Sequence, residues 1–213
     1  NAQLQGELKQ LKGVMDLAGK AKLTVVSARV ISKGGTATFG ETFVIDQGSQ
    51  AGIQRDMTVI SSGGLVGVVK STTSNSAVVL LMSDPSFRMG VRLAGSQDMG
   101  ILSGEGEGRY SLEMLSATGK IAMGDVLLTR GSSGDRPFVT GIPVGKVKVV
   151  ENSIGQLTKR AQVDAFVDLN SVSVVSVVIK SSGTNPGDAL VPRAPAPAPT
   201  VTIYVTPTPS PTK

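Results

Sequence analysis

Apolar residues along this chain follow one period at its start, another through its middle, and none at its end. In "NAQLQGELKQLKGVMDLAGK", Leu4, Leu8, Leu11, Met15 and Ala18 recur at spacings of 4, 3, 4 and 3. That is a heptad seam, with Leu4 and Leu11 at d and Leu8 and Met15 at a. Glu7 at g and Lys12 at the following e have the spacing that bridges two parallel helices. Leu4, Leu8, Leu11 and Met15 are therefore the expected dimer interface. Gly6 and Gly13 weaken such a helix by about 1 kcal/mol each relative to Ala. The seam is shorter than the three to four heptads that define a coiled coil by pattern alone. An amphipathic helix lying on its own domain satisfies the same spacing.

From Lys22 onward the period falls to two. "RMGVRLAG", "RYSLEML", "KVKVVE" and "QVDAFVDL" alternate apolar and polar positions, as strands with one buried and one wet face do. "LTVVSARVI", "TFVID", "MTVIS", "LVGVVK", "AVVLLM", "GILSG", "VLLTR" and "VSVVSVVI" complete about a dozen short strands separated by Gly, Ser, Asn and Asp. The pattern predicts an all-β protein of sandwich or barrel type. An internal echo runs through it. Ile53, Asp56, "TVIS" and "GLVGVV" are followed later by Ile121, Asp125, "VLLT" and "GIPVGKV". A duplication would explain it, and so would chance similarity among glycine-rich strands.

Beyond Ser181 the alternation stops. Eight of the 11 prolines lie between Pro186 and Pro211, which predicts an extended, disordered Pro-rich tail over 181–213, with the island "VTIYV" as its one apolar stretch.

Composition narrows the chemistry. The 213 residues contain no His and no Cys, so Ser-His-Asp and Cys-His nucleophile systems are excluded, as are disulfides. The net charge of +5 is scattered, and aromatic residues make up 3% of the chain, which is unlike a nucleic-acid binder. No apolar run approaches the roughly 20 residues of a membrane-spanning helix. The chain opens within a helical pattern and without Met, so upstream segments are expected.

"GIPVGKV" resembles a phosphate loop superficially. Only three residues separate Gly141 from Gly145, one of them is Pro143, and Val147 stands where Ser or Thr would bind Mg²⁺. The stretch also leads into an alternating strand rather than a helix N-terminus. Its glycines are expected to let a strand bend, with Val144 and Val147 near the core. Glu105 and Glu107 in "GEGEG" are the one paired-carboxylate motif, and the flanking glycines predict a mobile exposed turn rather than a catalytic pocket. No catalytic, cofactor-binding or metal-binding residue is assigned.

The order of motifs resembles the MreC family of rod shape-determining proteins. "FVIDQGSQAGI", "MTVISSGGLVGVV", "VVLLMSD", "GILSGEG", "GDVLLTRG" and "GIPVGKV" follow one another after the helical seam. The resemblance implies two six-stranded antiparallel β-barrels beyond the cytoplasmic membrane, preceded by a coiled coil and an upstream transmembrane helix. It implies this division: coiled-coil helix 1–22, first barrel 23–98 with the strands of 161–180 able to return to it, second barrel 99–160, tail 181–213. It implies a homodimeric, non-enzymatic scaffold of cell elongation that organises and activates peptidoglycan synthesis, with no cofactor and no nucleic acid. The implied partners are a class B penicillin-binding transpeptidase, RodA, MreD, MreB and RodZ. "RGSSGDRPFVTG" is longer than the family's link, and Arg130 stands where a small residue is common. Two other readings remain open: a periplasmic adaptor of a membrane transport assembly, and an inactive protease-like double-barrel binding module.

Overall fold

The computed structural model describes residues 2–36, 40–96, 98–116, 119–151, 158–183 and 185–192. Helix α1 spans Ala2–Lys20. Twelve strands follow among the described residues: β1 Thr24–Thr36, β2 Gly40–Ile45, β3 Thr58–Ser61, β4 Gly64–Thr72, β5 Ala77–Leu81, β6 Arg88–Leu93, β7 Met99–Gly104, β8 Tyr110–Met114, β9 Val126–Thr129, β10 Pro143–Glu151, β11 Arg160–Ala165 and β12 Val174–Lys180. They form two closed six-stranded barrels, ordered β1-β12-β3-β4-β5-β2 and β10-β11-β8-β7-β6-β9, with every pairing antiparallel. Closure leaves neither sheet with an open edge.

Read from β7, the second barrel runs β7-β6-β9-β10-β11-β8, the order of the first with each strand replaced by its counterpart. The sixth positions are exchanged. β6 follows β5 in the chain but closes the second barrel, and β12 follows β11 but closes the first. This moves the expected boundary at 98/99. Arg88–Leu93 pairs with β7 and β9, and of the stretch 161–180 only β12 lies in the first barrel. Alternation marks a strand but carries no information about which neighbour it pairs with, so the pattern could not fix this.

The sequence echo falls on equivalent hairpins, β3–β4 and β9–β10. The Asp56 N–H donates to Val69 O and the Val69 N–H to Met57 O; the Gly124 N–H donates to Val147 O and the Val147 N–H to Asp125 O. Asp56 thus corresponds to Gly124, one residue before Asp125, and both have left-handed backbones, with φ of 60° and 93°. Gly67 lies opposite Val59 and Leu81, and Gly145 opposite Leu127 and Ala165. A Cβ on either glycine would run into the adjoining strand's carbonyl, Leu80 O or Asp164 O. "GIPVGKV" is therefore a strand entering a tight barrel, with Val144 and Val147 buried and a register shift between Pro143 and Gly145. Only glycine permits this approach.

One apolar cluster of mainly Val, Ile and Leu runs through both barrels. Where they meet, Phe87 and Phe138 pack edge to face at 5.5 Å between ring centroids. Helix α1 buries Val14, Leu17 and Ala18 against the first barrel. Gln10 fixes its register. Its Nε2 donates to Ser171 O, and its Oε1 accepts the N–H groups of Ser173 and Val174, each at 3.1 Å.

The start of the expected tail, residues 185–192, is docked rather than extended. A turn over residues 187–190 lies on the second barrel, and Leu190 is buried. Proline excludes regular structure there but not docking. Residues 193–213, with the "VTIYV" island, lie outside the described residues.

Gly145→Val is expected to destabilise the chain by about 1–3 kcal/mol or more through overpacking, read from its urea midpoint.

Candidate partner-binding surfaces

The helix turns the heptad seam outward. Leu4 is 63% exposed, Leu8 50% and Met15 48%, while Leu11 is half-buried. At about 100° per residue the seam lies roughly 100° round the axis from the Val14, Leu17 and Ala18 face. The helix thus satisfies both patterns, with one apolar stripe on its own barrel and a second facing away. Leu4, Leu8 and Leu11 form one wall of a groove of about 360 Å³, opposite Ala28 and Val174. Glu7 and Arg29 bridge its rim at 3.5 Å. The heptad spacing grouped Leu4, Leu8, Leu11 and Met15 into one apolar stripe, but Ala18, the last residue of the same spacing, is buried with Val14 and Leu17. Val14, Leu17 and Gln10 were missed because their partners lie in β1, β3 and β12, far along the chain.

A second concavity, of about 970 Å³, is lined by both barrels. Lys33, Glu41 and Phe43 face it from the first, Tyr110, Lys146 and Asp164 from the second. Its polar groups hold one another. Ser83 Oγ donates to Glu41, whose other oxygen accepts the Glu107 N–H at 2.7 Å. Lys33 Nζ donates to the carbonyls of Leu169 and Asn170 and sits 5.3 Å from the centre of the Phe43 ring. Burial, reinforced by the negative charge of Glu41, pushes the Tyr110 phenol up to about 12. The hydroxyl therefore stays protonated across the physiological range. The cleft surface is partly apolar and carries groups of both charges.

The "GEGEG" turn borders the cleft. Glu105 and Glu107 are exposed, but the turn is not free: the Gly106 N–H donates to Ser83 O at 2.8 Å, and Gly104 packs closely on the Ser83 and Asp84 backbone. Among the described residues no group of His, Cys, Asp or Glu is arranged to hold a metal ion.

Two buried polar residues, Asp84 and Thr58, set how the cleft walls meet; both fall inside quoted motifs, but no sequence signal gave either a role. Asp84, in the β5–β6 crossover, accepts the Glu41 N–H at 2.7 Å, the Ser86 N–H at 2.8 Å and the Ser86 hydroxyl. Burial acts to raise its carboxyl pKa, but these hydrogen bonds together outweigh it and hold the group below the usual carboxylate range. Thr58 joins the barrels directly, since its Oγ1 donates to Pro137 O at 2.8 Å and accepts the Val139 N–H at 3.0 Å.

The family model described as rod shape-determining protein MreC, barrel core, matches residues 30–179. The cell shape-determining protein MreC of Listeria monocytogenes is 30% identical over 195 residues, covering 88% of this chain and 65% of its own length. A solved MreC structure superposes with a TM-score of 0.70 at 27% identity, over 82% of this chain and 98% of that one. A chain from the complex between PBP2 and MreC of Helicobacter pylori shares the fold at a TM-score of 0.58 and 16% identity, over 75% of this chain and 99% of its own. This chain spans between about a third and just under two thirds of the length of the curated MreC relatives it matches. Among the described residues no helix is long and apolar enough to cross a membrane.

Thr58→Val, which leaves the buried Val139 N–H unpaired, is expected to cost about 1–3 kcal/mol in urea unfolding. Asp84→Asn should cost a similar amount near neutral pH. Because the folded-state pKa of Asp84 is lowered, its contribution is present above the ordinary carboxyl pKa and lost as pH falls through the lowered value. The variant's stability should accordingly fall less steeply than the parent's on acidification below about pH 4.

Proposed function

The chain belongs to the MreC family, and from that membership we propose that it is a non-enzymatic scaffold of bacterial cell elongation, presenting docking surfaces to the enzymes that build peptidoglycan. The observation that carries this reading is the outward leucine seam of a helix pinned, through Gln10 and Val14, to a joined pair of closed barrels. A rigid body with an exposed apolar stripe is suited to assembly. Leu4, Leu8, Leu11 and Met15 pair two copies as a homodimer, with the seam continuing upstream. The segment before Asn1 anchors the protein in the cytoplasmic membrane and leaves the barrels outside it.

The barrels bind and activate a class B penicillin-binding transpeptidase. The complex of PBP2 with MreC from Helicobacter pylori supports this partner class, since a chain of it shares this fold. The inter-barrel cleft is the favoured surface, because it combines apolar side chains with groups of both charges. RodA, MreD, MreB and RodZ complete the assembly on the strength of family membership. No cofactor and no nucleic acid enter the proposal.

Leu8→Asp combined with Leu11→Asp should convert a dimer to a monomer in light scattering, and an unchanged mass would overturn the seam assignment. A photo-crosslinker at Lys146, in cells of the source bacterium, should capture a peptidoglycan transpeptidase. Capture of a transport channel in its place would refute the scaffold reading and favour the adaptor.

A further inference from the structure

Arg92, on β6, is a charged residue in an unexpected place. Its side chain is 9% exposed, and it occupies the position that the small Ser176 fills in the first barrel: Arg92 pairs with Leu128 of β9 where Ser176 pairs with Ile60 of β3. An arginine buried on a barrel strand needs a fixed anion. The segment after β12 supplies it. Arg92 Nη1 donates to Asp188 Oδ1 at 2.7 Å and Nη2 to Gly187 O at 2.5 Å, while the other Asp188 oxygen accepts the Gly95 N–H at 2.7 Å. Arg92 Nε is the one buried side-chain polar atom without a partner among the described residues.

Two residues further on, Leu190 enters a different environment. It is buried in the same apolar cluster as Val14, Leu17 and Ala21 of the helical region, and it lines a cavity with Gly13 and Leu17 of α1, Gly63 of the β3–β4 turn, and Pro143 and Phe166. Upstream, Ser181 Oγ donates to Asp135, and Pro186 packs so closely on Gly141 that a Cβ there would approach it to 2.5 Å. The segment therefore leaves the first barrel, hooks onto the second through Asp188, and places Leu190 against the helix.

We infer that residues 185–192 form a latch, an intramolecular peptide whose carboxylate is held by Arg92 and Gly95 and whose leucine holds the C-terminal half of α1 in register with both barrels. The latch lies beyond residue 179, where the family match ends, so family membership does not supply it. It complements the seam geometry. Val14 and Ala18 fix α1 to the first barrel, and Leu190 ties the same helix to the second, so the direction of the Leu4–Leu8–Leu11 stripe depends on both. The inference stands on this packing and is independent of which partners the scaffold binds.

Hydrogen–deuterium exchange on the full chain tests it, compared with the chain ending at Pro192, the chain ending at Lys180, and the full-length variants Asp188→Asn and Leu190→Ser. The chain ending at Pro192 should match the full chain. Loss of the latch, and Leu190→Ser, should speed exchange at least about tenfold in residues 13–20 while β3, β4 and β12 keep their protection. Asp188→Asn should speed exchange in residues 92–95 and 185–192 with a smaller effect on the helix. Unchanged exchange over 13–20 in both Leu190→Ser and the Lys180 truncation would overturn the latch. A uniform increase across both barrels in Leu190→Ser would also overturn it, since the segment would then be an ordinary part of the global folding unit.

Discussion

Each barrel closes only by taking its sixth strand from the other half of the chain. β6 completes the ladder between β7 and β9, and β12 completes the one between β1 and β3. Without that exchange each half would leave a row of unpaired backbone groups along a gap in its sheet. The exchange also forces the chain to cross between barrels twice, through the β5–β6 and β11–β12 connections. The barrels are thus tied into one body, and the cleft between them follows from closure.

Buried polar groups then fix the details that apolar packing leaves loose. Aliphatic cores tolerate many arrangements of similar volume, whereas a buried hydrogen bond has direction. Asp84 gathers donors from β2 and its own crossover, Thr58 reaches across to the 137–139 backbone, and Gln10 sets the helix on the β11–β12 connection. Arg92 follows the same logic with a charge, which makes its segment partner hard to remove without leaving an unpaired cation in the barrel wall. In each case a polar side chain marks a joint between elements distant in sequence.

The functional consequence is a division of labour between rigidity and presentation. The barrels and their joint supply a fixed frame, and the helix carries an apolar stripe that the frame leaves outside. In the cleft, Lys33, Glu41 and Ser83 are committed to backbone or side-chain partners, and burial holds the Tyr110 phenol protonated.

The sequence by itself determined what local patterning can encode. Period-two alternation gave the strands, the 3-4 spacing gave the apolar stripe of Leu4, Leu8 and Leu11 but not the side it faces, and the interrupted glycines of "LVGVV" and "PVGKV" gave matching strand bends. The lack of His and Cys removed whole classes of chemistry before any fold was known. Only the tertiary structure decided which strand closes which barrel, that Val14, Leu17 and Gln10 form a second face of the helix, and that residues 185–192 dock. The physical reason is common to all three. Alternation and heptad spacing record which residues share an apolar face, while burial, pairing, register and docking depend on partners that lie many residues away and leave no local period.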